Sequence, residues 1–198
     1  TNHMTSIEAS PGAPGLECRV MSKTSLAVAL LVIALTGCAR VPGQEVPDVR
    51  TPLVVVNEML RLANVTASDT VYDLGAGDGR IVIAAAKDRG ARGVGYEIDP
   101  ALVAEAGEHA RRLGLTDQVS FTRADLFEAD LRPATVVTLY LSPDLNRRLR
   151  PKLLSELRPG SRIVSHAFDM GDWAPTRTVE VSSNQGTHTL YLWVVPGK

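Results

Sequence analysis

Apolar positions change their spacing along the chain, and the changes mark the elements. From Thr51 onward, Val55, Val56, Met59, Leu60 and Leu62 recur as the stripe of an amphipathic helix. Thr51 is its expected cap and Pro52 sits in its first turn. Asn64 to Asp69 turns the chain into a short strand, Thr70 to Leu74. Glycines follow, then a helix over 81–87, a strand over 93–98 and a long helix over 100–113 that Gly114 ends. A third strand is predicted over 118–122 and a fourth over 134–141. The fourth, ATVVTLYL, is almost continuously apolar and therefore expected to be buried on both faces. A helix over 143–157 carries Pro151, which predicts a kink or a split. A fifth strand covers 162–168. The last two, 178–182 and 189–195, are joined by a polar turn with no helix between them, which predicts an antiparallel hairpin.

Strand and helix alternate until that hairpin. Alternation implies a parallel sheet with helices on both faces, so the fold class is α/β with a C-terminal antiparallel pair. The chain has 198 residues, enough for one domain, which is expected over 51–198. A net charge of -1 supplies no global field for nucleic acid or an anionic membrane. The two cysteines, Cys18 and Cys38, both precede the domain, so it has no disulfide, thiolate metal site or cysteine nucleophile. His3, His109, His166 and His188 lack metal-ligand spacing, and no metal is expected.

The region before the domain reads differently. Residues 1–20 read as a tag or disordered leader. Residues 21–38 carry Lys23, the apolar run Leu26 to Leu35, and then Leu35-Thr36-Gly37-Cys38. The run is too short to span a bilayer and fits a signal peptide core. Its ending resembles the lipobox of bacterial lipoproteins, in which the cysteine is lipidated. Residues 39–50 read as a tether. The expected location is membrane-associated, with the cytoplasm as the alternative.

Asp73-Leu-Gly75-Ala76-Gly77-Asp-Gly79 joins the first strand to the second helix. Glycines there allow close approach of backbone to a ligand. A dinucleotide fingerprint would place its third glycine where Arg80 stands, and the GK[ST] of a P-loop is absent. The DxGxGxG form resembles seven-stranded S-adenosylmethionine-dependent methyltransferases, a Rossmann-like fold. That resemblance implies S-adenosyl-L-methionine as cofactor. It also implies Asp73 and the loop amides at the methionine end, with Gly75, Ala76 and Gly77 beside them. Glu97 and Ile98 would then lie at the ribose, and Asp125 and Leu126 at the adenine.

Further stretches resemble one branch: DLGAGDGRIVIAAA (73–86), GYEIDPALV (95–103), YLSPDLNRRLRPKLLSEL (140–157) and SHAFDMGDWAP (165–175). The branch contains the mitochondrial lysine methyltransferases acting on the ATP synthase c subunit and the adenine nucleotide translocase, with bacterial relatives. The resemblance implies N-methylation of a protein lysine. Tyr140, ending the fourth strand, is the candidate for lining the reactive centre, as a catalytic group or as a cofactor contact; Ser142, His166 and Asp169 rank below it. Arg147, Arg148, Arg150 and Lys152 cluster on one helix and read as a solvated face or as a contact for lipid headgroups or an acidic partner. No NPPY-type motif or aromatic-basic interleaving favours nucleic acid. The expected partner is a protein acceptor, or a small molecule, for a monomeric enzyme. The alternatives are a small-molecule methyltransferase and an exported lipoprotein that keeps the fold without the chemistry.

Overall fold

The structure is a computed structural model and describes residues 50–197. The leader, signal-like segment and most of the tether lie outside the described residues. The described residues hold helix α1 (Leu53–Leu62), strand β1 (Thr70–Leu74), α2 (Arg80–Arg89), β2 (Arg92–Glu97), α3 (Pro100–Arg112), β3 (Val119–Arg123), a 3-10 turn (Leu126–Glu128), β4 (Val136–Leu139), α4 (Pro143–Glu156), β5 (Arg162–His166), β6 (Arg177–Ser183) and β7 (Gly186–Val194).

The strands form a seven-stranded sheet in the order β3-β2-β1-β4-β5-β7-β6. The first five are parallel, whereas β7 runs antiparallel to both β5 and β6. The chain works outward from β1 to β3, then restarts at β4 on the other side of β1. Strand order therefore reverses between β1 and β4, the place where open α/β sheets leave a crevice beyond the carboxyl ends of their strands.

Alternation along each strand sorts the core into two layers. Val71 of β1, Val136 of β4 and Val164 of β5 pack with α1 and α2. Tyr72, Leu74, Val137, Leu139 and Ile163 pack with Leu149 and Leu153 of α4 and with Trp193 of β7. β4 is buried at all four positions, as its apolar run predicts.

Three local expectations are corrected. Thr51 does not cap α1: Pro52 holds the cap position and α1 has no side-chain cap. The Thr51 hydroxyl is engaged by His166 instead. Pro151 does not split α4, which continues to Glu156, because Leu149 and Leu153 anchor the helix in the core on either side while Pro151 faces water. β5 stops at His166, two residues early, because Ala167 takes a left-handed conformation, φ 68°.

At the amino end of the sheet, Asp69 and Arg162 form a half-buried ion pair. Asp69 also accepts from Thr135 Oγ1 (2.7 Å) and from the Thr66 N–H (2.8 Å), and Arg162 Nη1 donates to the Ala63 carbonyl (3.0 Å). Burial raises the Asp69 carboxyl pKa, but these donors outweigh burial and hold it below its ordinary value. The node ties the starts of β1, β4 and β5 to the end of α1.

Candidate active site

A cavity of about 410 Å³ opens at the carboxyl edge of the sheet, lined by Gly75, Tyr96–Ile98, Ala124–Phe127, Leu141, Leu145 and Arg148. Its volume falls within the range of small-molecule sites. Of the residues predicted from sequence, Gly75, Glu97, Ile98, Asp125 and Leu126 stand on its wall. Asp73, Ala76, Gly77 and Tyr140 do not.

The glycine loop is folded onto β2 rather than held open. The Gly75 and Ala76 N–H groups both donate to the Tyr96 carbonyl (2.9 Å each), and Gly79 N–H donates to Ala76 O (2.8 Å). Gly77 N–H donates to Glu97 Oε2 (2.9 Å). The expectation of free loop amides for a ligand is therefore corrected: the carbonyl and carboxylate of β2 satisfy them. Glycine is required at Gly79, where φ is +76° and a Cβ would come within 2.4 Å of the Phe121 ring. It is required again at Gly95 beneath the loop, where a Cβ would meet Phe121 at 2.6 Å and Ala76 at 2.8 Å.

Glu97 gathers the loop and the start of α3. Besides Gly77, it accepts from the Ile98 N–H (2.8 Å) and the Asp99 N–H (3.0 Å), both on Oε1. A carboxylate offers about four acceptor positions, so Oε2 retains one for a ligand hydroxyl. Ile98 beside it is 66% exposed, a large apolar side chain left for a ligand to cover. Asp125 caps the 3-10 turn, its Oδ1 accepting from the Phe127 N–H (2.9 Å). Asp73 lies behind the loop, 2% exposed, accepting from Thr138 Oγ1 at 2.8 Å. Burial pushes its carboxyl up to about 7, and the nearby Asp78 and Glu97 charges add to the rise while Thr138 opposes it. A buried carboxyl poised at neutral pH is a counter-ion held ready for a cation.

Tyr140 follows β4 and faces another set of groups. Its ring lies 4.0 Å, centroid to centroid, from the His166 imidazole and 6.4 Å from Phe168. Burial, and then the neighbouring His188, lower the His166 pKa to about 4. Ser142 caps α4, its Oγ accepting from the Leu145 N–H at 3.4 Å. Asp169 accepts from the Gly171 N–H (3.0 Å) and shapes the loop after β5.

Sequence reasoning missed several of these residues. Tyr96, Ala124, Phe127, Leu141, Leu145 and Arg148 line the cavity. Four of them directly flank predicted residues, a signal that was available; Leu145 and Arg148 face inward only because α4 crosses the site. The Arg148 guanidinium stacks over Phe127, 4.6 Å from the ring centre. Asn146, fully buried, donates through Nδ2 to Ser165 Oγ (3.0 Å) and the Phe168 carbonyl (3.0 Å). The other α4 cations pair locally: Arg147 with Asp144, Arg150 with Asp172, and Lys152 with Glu156 at 2.6 Å.

Comparison with known proteins converges on methyltransferases. The model of the ANTKMT methyltransferase domain matches residues 73–177. A protein-lysine N-methyltransferase of Saccharolobus islandicus is 44% identical over 151 residues, covering 76% of this chain and 94% of that protein. The mouse adenine nucleotide translocase lysine N-methyltransferase is 36% identical over 162 residues, covering 81% of this chain and 69% of that one. Among solved structures, an RNA methyltransferase from Salinibacter ruber in complex with S-adenosyl-L-homocysteine superposes with a TM-score of 0.72 at 55% identity, covering 76% of this chain and 95% of that one.

Proposed function

The chain belongs to the ANTKMT methyltransferase family, and on that premise we propose that it methylates the side-chain amine of a protein lysine, with S-adenosyl-L-methionine as donor. The observation that carries the reading is a set of three carboxylates at the carboxyl ends of adjacent strands, with Glu97 and Asp125 on the cavity wall and Asp73 buried behind the glycine loop that Gly75 contributes to that wall. The residues present fit the cofactor. Asp73, whose carboxyl burial pushes up to about 7, would gain a neutralising partner in its ammonium. Glu97 keeps an acceptor position for a ribose hydroxyl, Asp125 keeps Oδ2 for an adenine amino group, and Ile98 and Leu126 supply apolar cover. The bound cofactor supplies a methyl group activated by its sulfonium.

The chain's own residues then align and deprotonate. An amine must be neutral to attack, and in-line displacement depends on holding it in register. Tyr140 and Phe168 stack with their ring centres 6.4 Å apart just after β4 and β5, an aromatic pair suited to guiding an alkylammonium chain. Membrane association, through the apolar run 26–35 or a lipidated Cys38, is part of the proposal, as is action as a monomer. No helix among the described residues is long and apolar enough to cross a membrane.

An RNA acceptor is a second reading, favoured by the name of the Salinibacter protein. Against it stand the net charge of -1 and the ion-paired Arg147 and Arg150 of α4. The deciding experiment gives the full chain labelled S-adenosylmethionine with lysine peptides, arginine-substituted peptides and RNA. Label on lysine peptides alone is the expected outcome; label on RNA alone moves the assignment to the second reading. Failure to bind the cofactor at all defeats both. For the anchor, Cys38→Ser is expected to release the chain from the membrane fraction.

A further inference from the structure

Hydrogen bonds leave the reactive edge of the sheet in a line. Thr51 Oγ1 lies 3.2 Å from His166 Nδ1. His166 Nε2 lies 2.9 Å from His188 Nδ1, and His188 Nε2 lies 2.8 Å from Ser183 Oγ. Each member can both give and take a proton. The inner end is buried, with Thr51 4% and His166 1% exposed. The outer end reaches the β6–β7 turn, where Ser183 Oγ also accepts from the Gln185 N–H (2.9 Å) and Asn184 and Gln185 are exposed. Three separate stretches of chain supply the four groups.

We propose that Thr51, His166, His188 and Ser183 form a proton exit line for the methyl-transfer reaction, carrying to the surface the proton that the acceptor amine must lose. The inference rests on the lysine methyltransferase reading. Methylating an ammonium makes one N–C bond and breaks one C–S bond, whose electron pair stays on sulfur. One proton is left over per turnover. Two contacts tie the inner end to the carboxyl edge of the sheet. The Tyr140 ring packs, tilted by 31°, against His166. Arg80, the first residue after the glycine loop, donates to the Thr51 carbonyl at 2.9 Å.

The transfer balances along the line. The amine proton enters at Thr51 Oγ1 as the threonine hydrogen passes to His166 Nδ1. The hydrogen on His166 Nε2 passes to His188 Nδ1, that on His188 Nε2 passes to Ser183 Oγ, and the serine hydrogen leaves to water. Both rings begin and end neutral, consistent with a buried His166 that resists charging. The reversed hydrogen arrangement must reset before the next turnover, so the line controls kcat and leaves the cofactor KM alone.

The test is His188→Gln in the full chain. Glutamine keeps a donor and an acceptor but cannot pass a proton through. The expected result is an unchanged Tm and cofactor KM with kcat lowered on the order of 100-fold, a typical general acid–base contribution. Rate recovery by added imidazole in His188→Gly supports the same conclusion. Should His188→Gln fail to fold, Ser183→Ala against Ser183→Thr at the exposed turn replaces it; the line requires that only the threonine keep the wild-type rate. An undiminished kcat in His188→Gln or Ser183→Ala overturns the line. So does a loss of rate that tracks Tm and is not restored by imidazole. A wild-type chain that transfers no methyl defeats the lysine reading and the line with it; an active wild type with unimpaired variants defeats the line alone.

Discussion

The two halves of the carboxyl edge are built on different plans. The half over β1, β2 and β3 is made of carboxylates and glycines, each fixed by the strand end that bears it. Glu97 holds Gly77 across 20 positions of sequence, and Asp125 caps its own turn. The half over β4, β5 and β7 is made of rings and hydroxyls drawn from far apart. Thr51 reaches His166 over 115 positions, and His166 reaches His188 over 22. The first half is acidic. The second is aromatic and uncharged, with a histidine that stays neutral to about pH 4. The difference teaches a division of encoding: the carboxylate half is set by local sequence, whereas the half of rings and hydroxyls is assembled by the tertiary fold.

Breaking the first half gives the largest expected effect. Asp73→Asn removes the buried counter-ion and is expected to weaken cofactor binding on the order of 1000-fold, as removal of one partner of a buried charge pair does. The same change stabilises the free protein. Because the Asp73 pKa is raised, the folded state holds a proton that the unfolded state has lost between the ordinary carboxyl value and about 7. Stability therefore falls as pH rises through that window, and the penalty is complete above it. Thermal melts at pH 8 should place the Asp73→Asn Tm above wild type.

The structural node at the opposite edge comes next. Asp69→Ala leaves Arg162 without its carboxylate and is expected to destabilise the fold by about 3 kcal/mol. Calorimetry of the surviving folded protein should find cofactor affinity intact, since Asp69 lies at the far end of the strands from the cavity. Loss of binding by folded Asp69→Ala would blur the distinction between edge and core.

Proton linkage sharpens the comparison. Cofactor binding that favours ionised Asp73 should be roughly tenfold weaker at pH 6 than at pH 7.5 and should release a proton, read from binding heats in buffers of different ionisation enthalpy. In the other half, His166 has a lowered pKa, so the unfolded state takes up a proton first as pH falls. The stability it contributes is present above pH 6.5 and is lost between there and about pH 4, a slope that should flatten in His166→Gln.

The smallest effect belongs to the backbone. Ala167→Gly relieves a left-handed alanine beside His166 and is expected to raise stability by about 1 kcal/mol. If kcat falls while Tm rises, the strain helps to aim the loop after β5.

How much was legible follows the same division. The sheet, the hairpin and the cavity-wall carboxylates could be read because their signals are contiguous: apolar alternation, a glycine cluster, an acid at a strand end. Tyr140 and His166 could be singled out by their positions after β4 and at the end of β5, but their contact with each other could not. His166 and His188 meet only because β7 pairs antiparallel with β5 and with β6, a register that brings His188 beside the end of β5. No spacing in the sequence encodes that pairing. Thr51 was misread as a helix cap because cap chemistry is local and frequent, whereas its imidazole partner lies 115 positions away at the end of β5. The loop amides were misread as free because the Tyr96 carbonyl that takes them is set by tertiary contact.

The position of β7 has a consequence for how the protein comes into being. It is the last strand to leave the ribosome among the described residues, yet it lies inside the sheet between β5 and β6. Trp193 and Leu190, both fully buried, are supplied by it. A nascent chain still missing this strand exposes the open edge of β5 and an unsealed apolar layer, the kind of surface that invites aggregation. The carboxylates and the glycine loop have by then been made, whereas His188 has not. Synthesis of β7 thus closes the sheet and the ring-bearing half of the carboxyl edge in one step, so a product terminated before β7 lacks both.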